Sequence, residues 1–160
     1  MNGNYAMING KKIELTEEQI KALGFEIRRP LFERVTDGGP YYFISCYGDI
    51  DADSREDDRL FDNINYFNDE NFARQVALHQ LLYRKLLKFV YDNGYEDKAK
   101  WDCTNRHWRI WYDHCNNVFD VGWSDIFQSS DVYFSTEEGA GRAIREVVKP
   151  FMKEHPEFVW

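Results

Sequence analysis

Apolar positions fall into two long stretches with helical spacing. In residues 68–93, Phe72, Val76, Tyr83, Leu86, Leu87 and Val90 recur at three- and four-residue steps, and Leu78, Leu81, Leu82 and Phe89 widen the apolar face beyond a single stripe. Asn68 stands as N-cap, Asp69 and Glu70 place negative charge on the first turn, and Asn93 followed by Gly94 supplies a left-handed stop. Such a helix needs cover on more than one side. In residues 135–154, Ala140, Ala143, Ile144, Val147, Val148, Phe151 and Met152 form one stripe behind a capping box of Ser135 and Glu138. Gly139 and Gly141 weaken its first turns and suggest close approach to another backbone, while Pro150 should kink or restart the helix.

Between and before these helices the period changes to two. Trp108, Ile110 and Tyr112 share one face of a strand, and residues 6–15 read as a hairpin turning at Asn9 and Gly10. Thr16 and Gln19 then cap a short helix, EEQIKAL, which Gly24 closes. A repeat at an offset of 67 links the rest: Tyr66, Phe67 and Glu70 are echoed by Tyr133, Phe134 and Glu137, Ala73 by Ala140, and the aromatic strand at 41–45 by that at 108–112. The expected fold is α+β, an internal duplication of a strand-turn-strand-helix unit with an N-terminal hairpin and short helix. The units span residues 1–36 (the hairpin and helix), 41–94 (first repeat) and 108–160 (second repeat), packed as one globular body.

Charge changes this picture in one place. The net charge is −8, and residues 49–70 alone hold nine acids against two bases, a local −7. With few apolar residues, that segment is expected to be a solvated loop or edge. A sharper reading makes it a surface for a basic partner, carried by Asp49, Asp51, Asp53, Glu56, Asp57, Asp58 and Asp62 with the bordering aromatics Tyr47 and Phe61. The alternating Asp49, Asp51 and Asp53 open like a calcium loop, but Ser54 stands where glycine is needed and Leu60 where a bidentate glutamate is needed, so no metal is expected.

The stretch 101–112 offers a different chemistry. Arg106, His107 and Arg109 alternate with Trp101, Trp108 and Trp111, the combination that stacks on bases and clamps single-stranded nucleic acid, although an acidic chain has the wrong overall sign for phosphates. Cys103, His107, His114 and Cys115 do not match a zinc-ligand spacing. The three cysteines, Cys46, Cys103 and Cys115, form no CxxC pair and suit free thiols in a reducing cytosol. No apolar leader or membrane-length stretch is present, which points to a cytoplasmic protein. Nucleophile-elbow, zinc-protease, P-loop and dinucleotide patterns are all missing, so neither enzymatic activity nor a cofactor is expected.

The series INGKKIELTEEQIKALG, LFERV, GGPYYFI, NYFNDENFA and VYFSTEEGAGRAI resembles small acidic proteins encoded in phages and prophages of Gram-positive bacteria. The resemblance covers nearly the whole chain through structural rather than catalytic motifs. It implies an accessory gene product that inhibits a bacterial defence or nucleic-acid-handling complex, an anti-CRISPR protein acting on a Cas9-type effector being the most concrete case. The partner would be a host protein with a basic nucleic-acid-binding surface. Nucleic acid itself is the alternative partner, and a homodimer is left open.

Overall fold

The computed structural model describes residues 5–8, 11–24, 31–35, 39–52 and 57–160. Its elements in chain order are β1 (Tyr5–Ile8), β2 (Lys11–Glu14), α1 (Glu17–Ala22), β3 (Tyr42–Ile44), β4 (Ile50–Ala52), α2 (Asp57–Asp62), α3 (Glu70–Asn93), β5 (His107–Asp113), β6 (Val118–Ser124), α4 (Glu137–Ala143), a π-helical turn (Ile144–Val148) and α5 (Lys149–Glu154). The fold is α+β. Among the described residues there are three sheets, each an antiparallel hairpin of two strands, β1 with β2, β3 with β4 and β5 with β6. A lone hairpin is marginal in water, so each needs a helix to cover a face. Among the described residues no helix is long and apolar enough to cross a membrane, and Cys46, Cys103 and Cys115 are free and exposed.

At the N-terminal end, Ile8 pairs with Lys11, which leaves two residues for the turn; Asn9 and Gly10 themselves lie outside the described residues. The expected capping box forms, with the Gln19 amide donating to Thr16 Oγ1 at 3.3 Å and the Thr16 amide donating to Gln19 Oε1 at 2.9 Å. Gly24 closes α1 at φ 75°.

The later segments share a layout. Phe67 exchanges two backbone hydrogen bonds with Tyr42, both 2.8 Å, and Phe134 exchanges two with Trp108, at 3.2 and 2.8 Å. Each of these bridging aromatics is followed by a capped helix, and each hairpin packs on the helix that follows it, β3 and β4 on α3, β5 and β6 on α4. The helical parts match at an offset of 67, with Asp69 capping α3 and Thr136 capping α4. The strands do not match at that offset. The bridges put Tyr42, rather than Tyr41, in the place of Trp108, and with a side-chain period of two this one-residue slip exchanges the faces assigned to the strands.

Both expected caps move by one residue for one reason. Asn68 donates its amide to the Leu31 carbonyl at 3.1 Å and Ser135 donates its own to the Tyr95 carbonyl at 3.0 Å, so each continues the extended segment. The next polar residue then turns the chain. Asp69 Oδ1 accepts from the Phe72 amide at 2.7 Å, and Thr136 Oγ1 accepts from the Gly139 amide at 3.0 Å. Gly94, at φ 70°, ends α3.

The core gathers Leu78, Leu82, Leu86, Phe89 and Val90 of α3, Val132 and Phe134, Ala140 and Ala143 of α4, and Val148, Phe151 and Phe158. Trp108 and Ile110 of β5, two of the three residues expected on one face, close it together with Phe119 and Val121 of β6, while Tyr112 lies beyond it against Phe119 at 4.8 Å. Arg142 ties α4 to the end of α3, bonding Glu146 through two nitrogens at 2.9 and 3.1 Å and reaching the Tyr95 hydroxyl at 3.1 Å. Beyond the other end of the core, Phe32, Phe67 and Phe72 form a three-ring cluster with centroids 5.6 to 5.9 Å apart. Tyr41 stacks on Tyr66 at 4.2 Å.

Residues 49–70 are therefore not a solvated loop throughout. They contribute β4, α2 and two core aromatics, Tyr66 and Phe67, each 2% exposed. The expectation of a solvated loop or edge fails at Tyr66 and Phe67, where aromatic burial outweighs the average polarity of the segment, while Asp49, Asp51, Asp58 and Asp62 are exposed.

Candidate functional site

The carboxylate surface begins at the β3–β4 turn. Ser45 accepts the Gly48 amide at 3.0 Å and its own amide donates to Asp49, while Gly48 adopts φ 92°, so the turn is tight and Tyr47 is thrown outward at 90% exposure. Asp49 and Asp51 follow, exposed and two residues apart, on one face of the strand segment. Asp58 and Asp62 lie one turn apart on α2, both exposed. Asp58 is ion-paired with Arg34. Asp53 and Glu56 lie outside the described residues, as does the side chain of Asp57. Phe61 has a structural place rather than a free surface: it meets Tyr66 edge-on at 5.5 Å and carries the Arg34 guanidinium over its ring. Asp49 also borders a hollow of about 250 Å³ that holds Arg74 and Arg84, so this surface is mixed in sign at its α3 side.

The tryptophan-rich stretch is largely consumed inside the molecule. His107 is completely buried, its ring parallel to Trp101 at 3.6 Å and edge-on to Tyr133 at 6.3 Å, with Asp97 Oδ2 2.5 Å from its Nδ1. Arg106 covers Trp123 at 4.6 Å; Arg109 bonds Asp131 at 2.9 Å and Ser129 at 3.0 Å and lies over Trp111. Trp111 covers Gly122 so closely that an added Cβ would fall 2.3 Å from the indole. The guanidinium and indole faces expected to clamp bases thus already have partners.

The His107 and Asp97 pair went unnoticed in the sequence. Ten residues separate them, and only the folded connection between α3 and β5 brings them together. A carboxylate on Nδ1 is how catalytic imidazoles are oriented, but His107 Nε2 is buried without a partner, and no hydroxyl or thiol nucleophile bonds to it among the described residues. Nor do Cys103, His107, His114 and Cys115 converge. Among the described residues no three His, Cys, Asp or Glu groups stand together as metal ligands.

Among the described residues, Asp102, Asp113 and Glu146 have carboxyl groups held below their ordinary range by hydrogen bonds. Asp113 takes them first from the Asn116 side chain and then from the Asn116 and Cys115 amides, inside the β5–β6 turn. Thr104 does the same for Asp102, and Arg142 for Glu146.

Among the described residues, two further grooves lie along α3. The larger, about 860 Å³, runs past Ile44, Asn65, Phe67, Val76 and Leu81. The smaller, about 360 Å³, lies between Leu82 and Leu86 of α3, Ile110 of β5, Val132, Phe134 and the C-terminal Phe158 and Trp160, with His79, Tyr83, Arg109 and Asp131 at its rim. Compared with known protein families, with curated proteins and with solved structures, the chain gives no match, and the resemblance to phage-encoded acidic proteins gains no support from these comparisons.

Proposed function

We propose that the protein is a non-enzymatic binding protein that docks the surface around Tyr47 onto a basic partner that handles nucleic acid, and blocks it. The observation that carries this reading is the projection of Tyr47 from the β3–β4 turn beside the exposed Asp49 and Asp51. An exposed tyrosine supplies rigid contact area for an interface centre, and neighbouring carboxylates attract a surface evolved for phosphates. Asp62 adds to that attraction, whereas Asp58 contributes less because Arg34 already answers its charge. A guide-RNA-loaded nuclease in a bacterial cytoplasm is the most concrete partner, with an open basic channel.

The test measures association and dissociation rates against a purified guide-RNA-loaded nuclease and a panel of bacterial DNA-binding enzymes, at low and high salt. Exposed charges are screened over about 8 Å at physiological ionic strength, so affinity is expected to fall as salt rises. Asp49→Lys, Asp51→Lys and Asp62→Lys together should slow association by about tenfold, and Tyr47→Ala should act mainly on dissociation. Failure to bind any member of the panel, or rates indifferent to salt and to the triple variant, overturns the reading.

A further inference from the structure

In both later hairpins the first strand has an outer edge, and the two edges are finished differently. The double exchange between Tyr42 and Phe67 places Tyr42 with its N–H and C=O pointing away from β4, and the antiparallel alternation gives Ile44, two residues on, the same outward direction. There the Asn65 side chain completes the ladder. Its Oδ1 accepts from the Ile44 amide and its Nδ2 donates to the Ile44 carbonyl, both at 2.9 Å. Asn65 stands two residues before Phe67, so its carboxamide fills the position of the next backbone rung.

On the second hairpin, Trp108 and Phe134 make the corresponding exchange, and Ile110 is the residue whose N–H and C=O turn outward. The position two residues before Phe134 is Val132. Its side chain is committed to the core, at 7% exposure, and carries no carboxamide. Among the described residues, no backbone or side-chain group bonds the outward N–H and C=O of Ile110. This edge opens into the smaller groove, whose walls are Leu82, Leu86, Val132, Phe134, Phe158 and Trp160. A concave site that sets apolar walls beside a convergent donor and acceptor is a usual form of ligand pocket, and about 360 Å³ falls within the size range of such pockets.

We propose that this groove binds an extended peptide segment of a partner protein, which joins the Ile110 edge through one backbone amide and places an apolar side chain between Leu82 and Phe158. The occupant's chemistry is read from the first hairpin, where a carboxamide supplies the donor and acceptor that Ile44 needs. A peptide backbone presents the same pair when it adds to a strand edge, and alternate side chains then enter the adjoining pocket. The rim ions Arg109 and Asp131 bond one another at 2.9 Å, so their charges offset one another and recognition rests on the amide and the apolar wall.

The test titrates ¹⁵N-labelled protein with acetyl-Val-Leu-Val-amide, with the same peptide N-methylated at leucine, and with the peptide carrying aspartate for leucine. The Ile110 amide resonance is expected to move on binding of the first peptide, with affinity about tenfold weaker for each of the other two, the worth of one lost hydrogen bond or of the lost apolar contact. Val132→Asn should abolish binding by giving Ile110 an internal carboxamide. Asn65→Val should create a second site, reported by the Ile44 amide. Circular dichroism establishes that the variants are folded; should Val132→Asn be unfolded, Asn65→Val and the methylated peptide decide. No movement of Ile110 at millimolar peptide, or binding unaffected by N-methylation, overturns the proposal. So does a concentration-dependent dimer that protects Ile110 without peptide, because the occupant would then be a second copy of the chain.

Discussion

At His107 a whole ring is sealed between Trp101, Tyr133 and a carboxylate, and the energetics of that place are unforgiving. The side chain of Asp97 is only 7% exposed, so removing His107 leaves its Oδ2 buried without a donor, with only the Ala99 amide still bonding the other oxygen at 3.1 Å. His107→Ala is expected to cost about 3–5 kcal/mol, the range for breaking one side of a buried pair. Denaturant unfolding measures this, and His107→Ala combined with Asp97→Ala should lose less than the sum of the two single variants. None of this was visible in the sequence, where His107 reads as a base-clamping residue and as a candidate zinc ligand but not as the partner of Asp97. Asn65 was hidden for the same reason. A side-chain amide that stands in for a strand leaves no periodic or compositional trace, because its partner, Ile44, is 21 residues away. Tyr47 was readable as a border aromatic, but its outward projection depends on the tight turn at Gly48.

The helices were readable because their signals are local: spacing of apolar residues, polar caps and a left-handed glycine at Gly94. Their first residues were each displaced by one, since Asn68 and Asp69, or Ser135 and Thr136, are equivalent as types and only the long-range amide bonds to Leu31 and Tyr95 select between them. The expected break at Pro150 takes a definite form. Pro150 has no N–H and its ring would crowd the carbonyl four residues back, and the chain widens just ahead of it into the π turn, where the Lys149 amide reaches the Ile144 carbonyl. Gly139 does mark a close approach, but to a side chain rather than to a backbone: a Cβ added there would fall 2.6 Å from the Tyr95 ring, whereas Gly141 has room for one. Gly139→Ala should therefore destabilise by about 1–3 kcal/mol despite alanine's better helix propensity, while Gly141→Ala should gain up to about 1 kcal/mol, and paired thermal melts compare them. The β5–β6 turn carries a pH dependence. Because the hydrogen bonds to Asp113 hold its carboxyl below the ordinary range, their stabilisation is present above the unfolded carboxylate pKa and fades as pH falls through the lowered folded one. Asp113→Asn should lower the melting temperature at neutral pH and narrow its drop in acid, read from melts at several pH values.

Across the whole molecule, α3 is the common wall. One side faces the Ile44 edge and its groove, the other faces the Ile110 edge and its groove, and the hairpins do not pair with each other. The α+β class followed from the mixture of periods and the need for cover on more than one side of α3 from its wide apolar face, yet which faces of Leu78, Leu81 and Leu82 meet which partner did not. The arrangement of separate hairpins also governs how quickly the chain finds its structure. Strand neighbours are joined by tight turns, and among the described residues the isolated backbone bridges span 25 residues for Tyr42 to Phe67, 26 for Trp108 to Phe134 and 38 for Glu96 to Phe134. Loop-closure entropy rises slowly with length, and chains dominated by near neighbours reach the native state in milliseconds or less. Stopped-flow refolding followed by tryptophan fluorescence should show a dominant phase on that timescale. Weakening the second bridge with Trp108→Val should slow refolding if that closure is part of the rate-limiting step, and should only hasten unfolding if α3 and α4 associate before the hairpin docks.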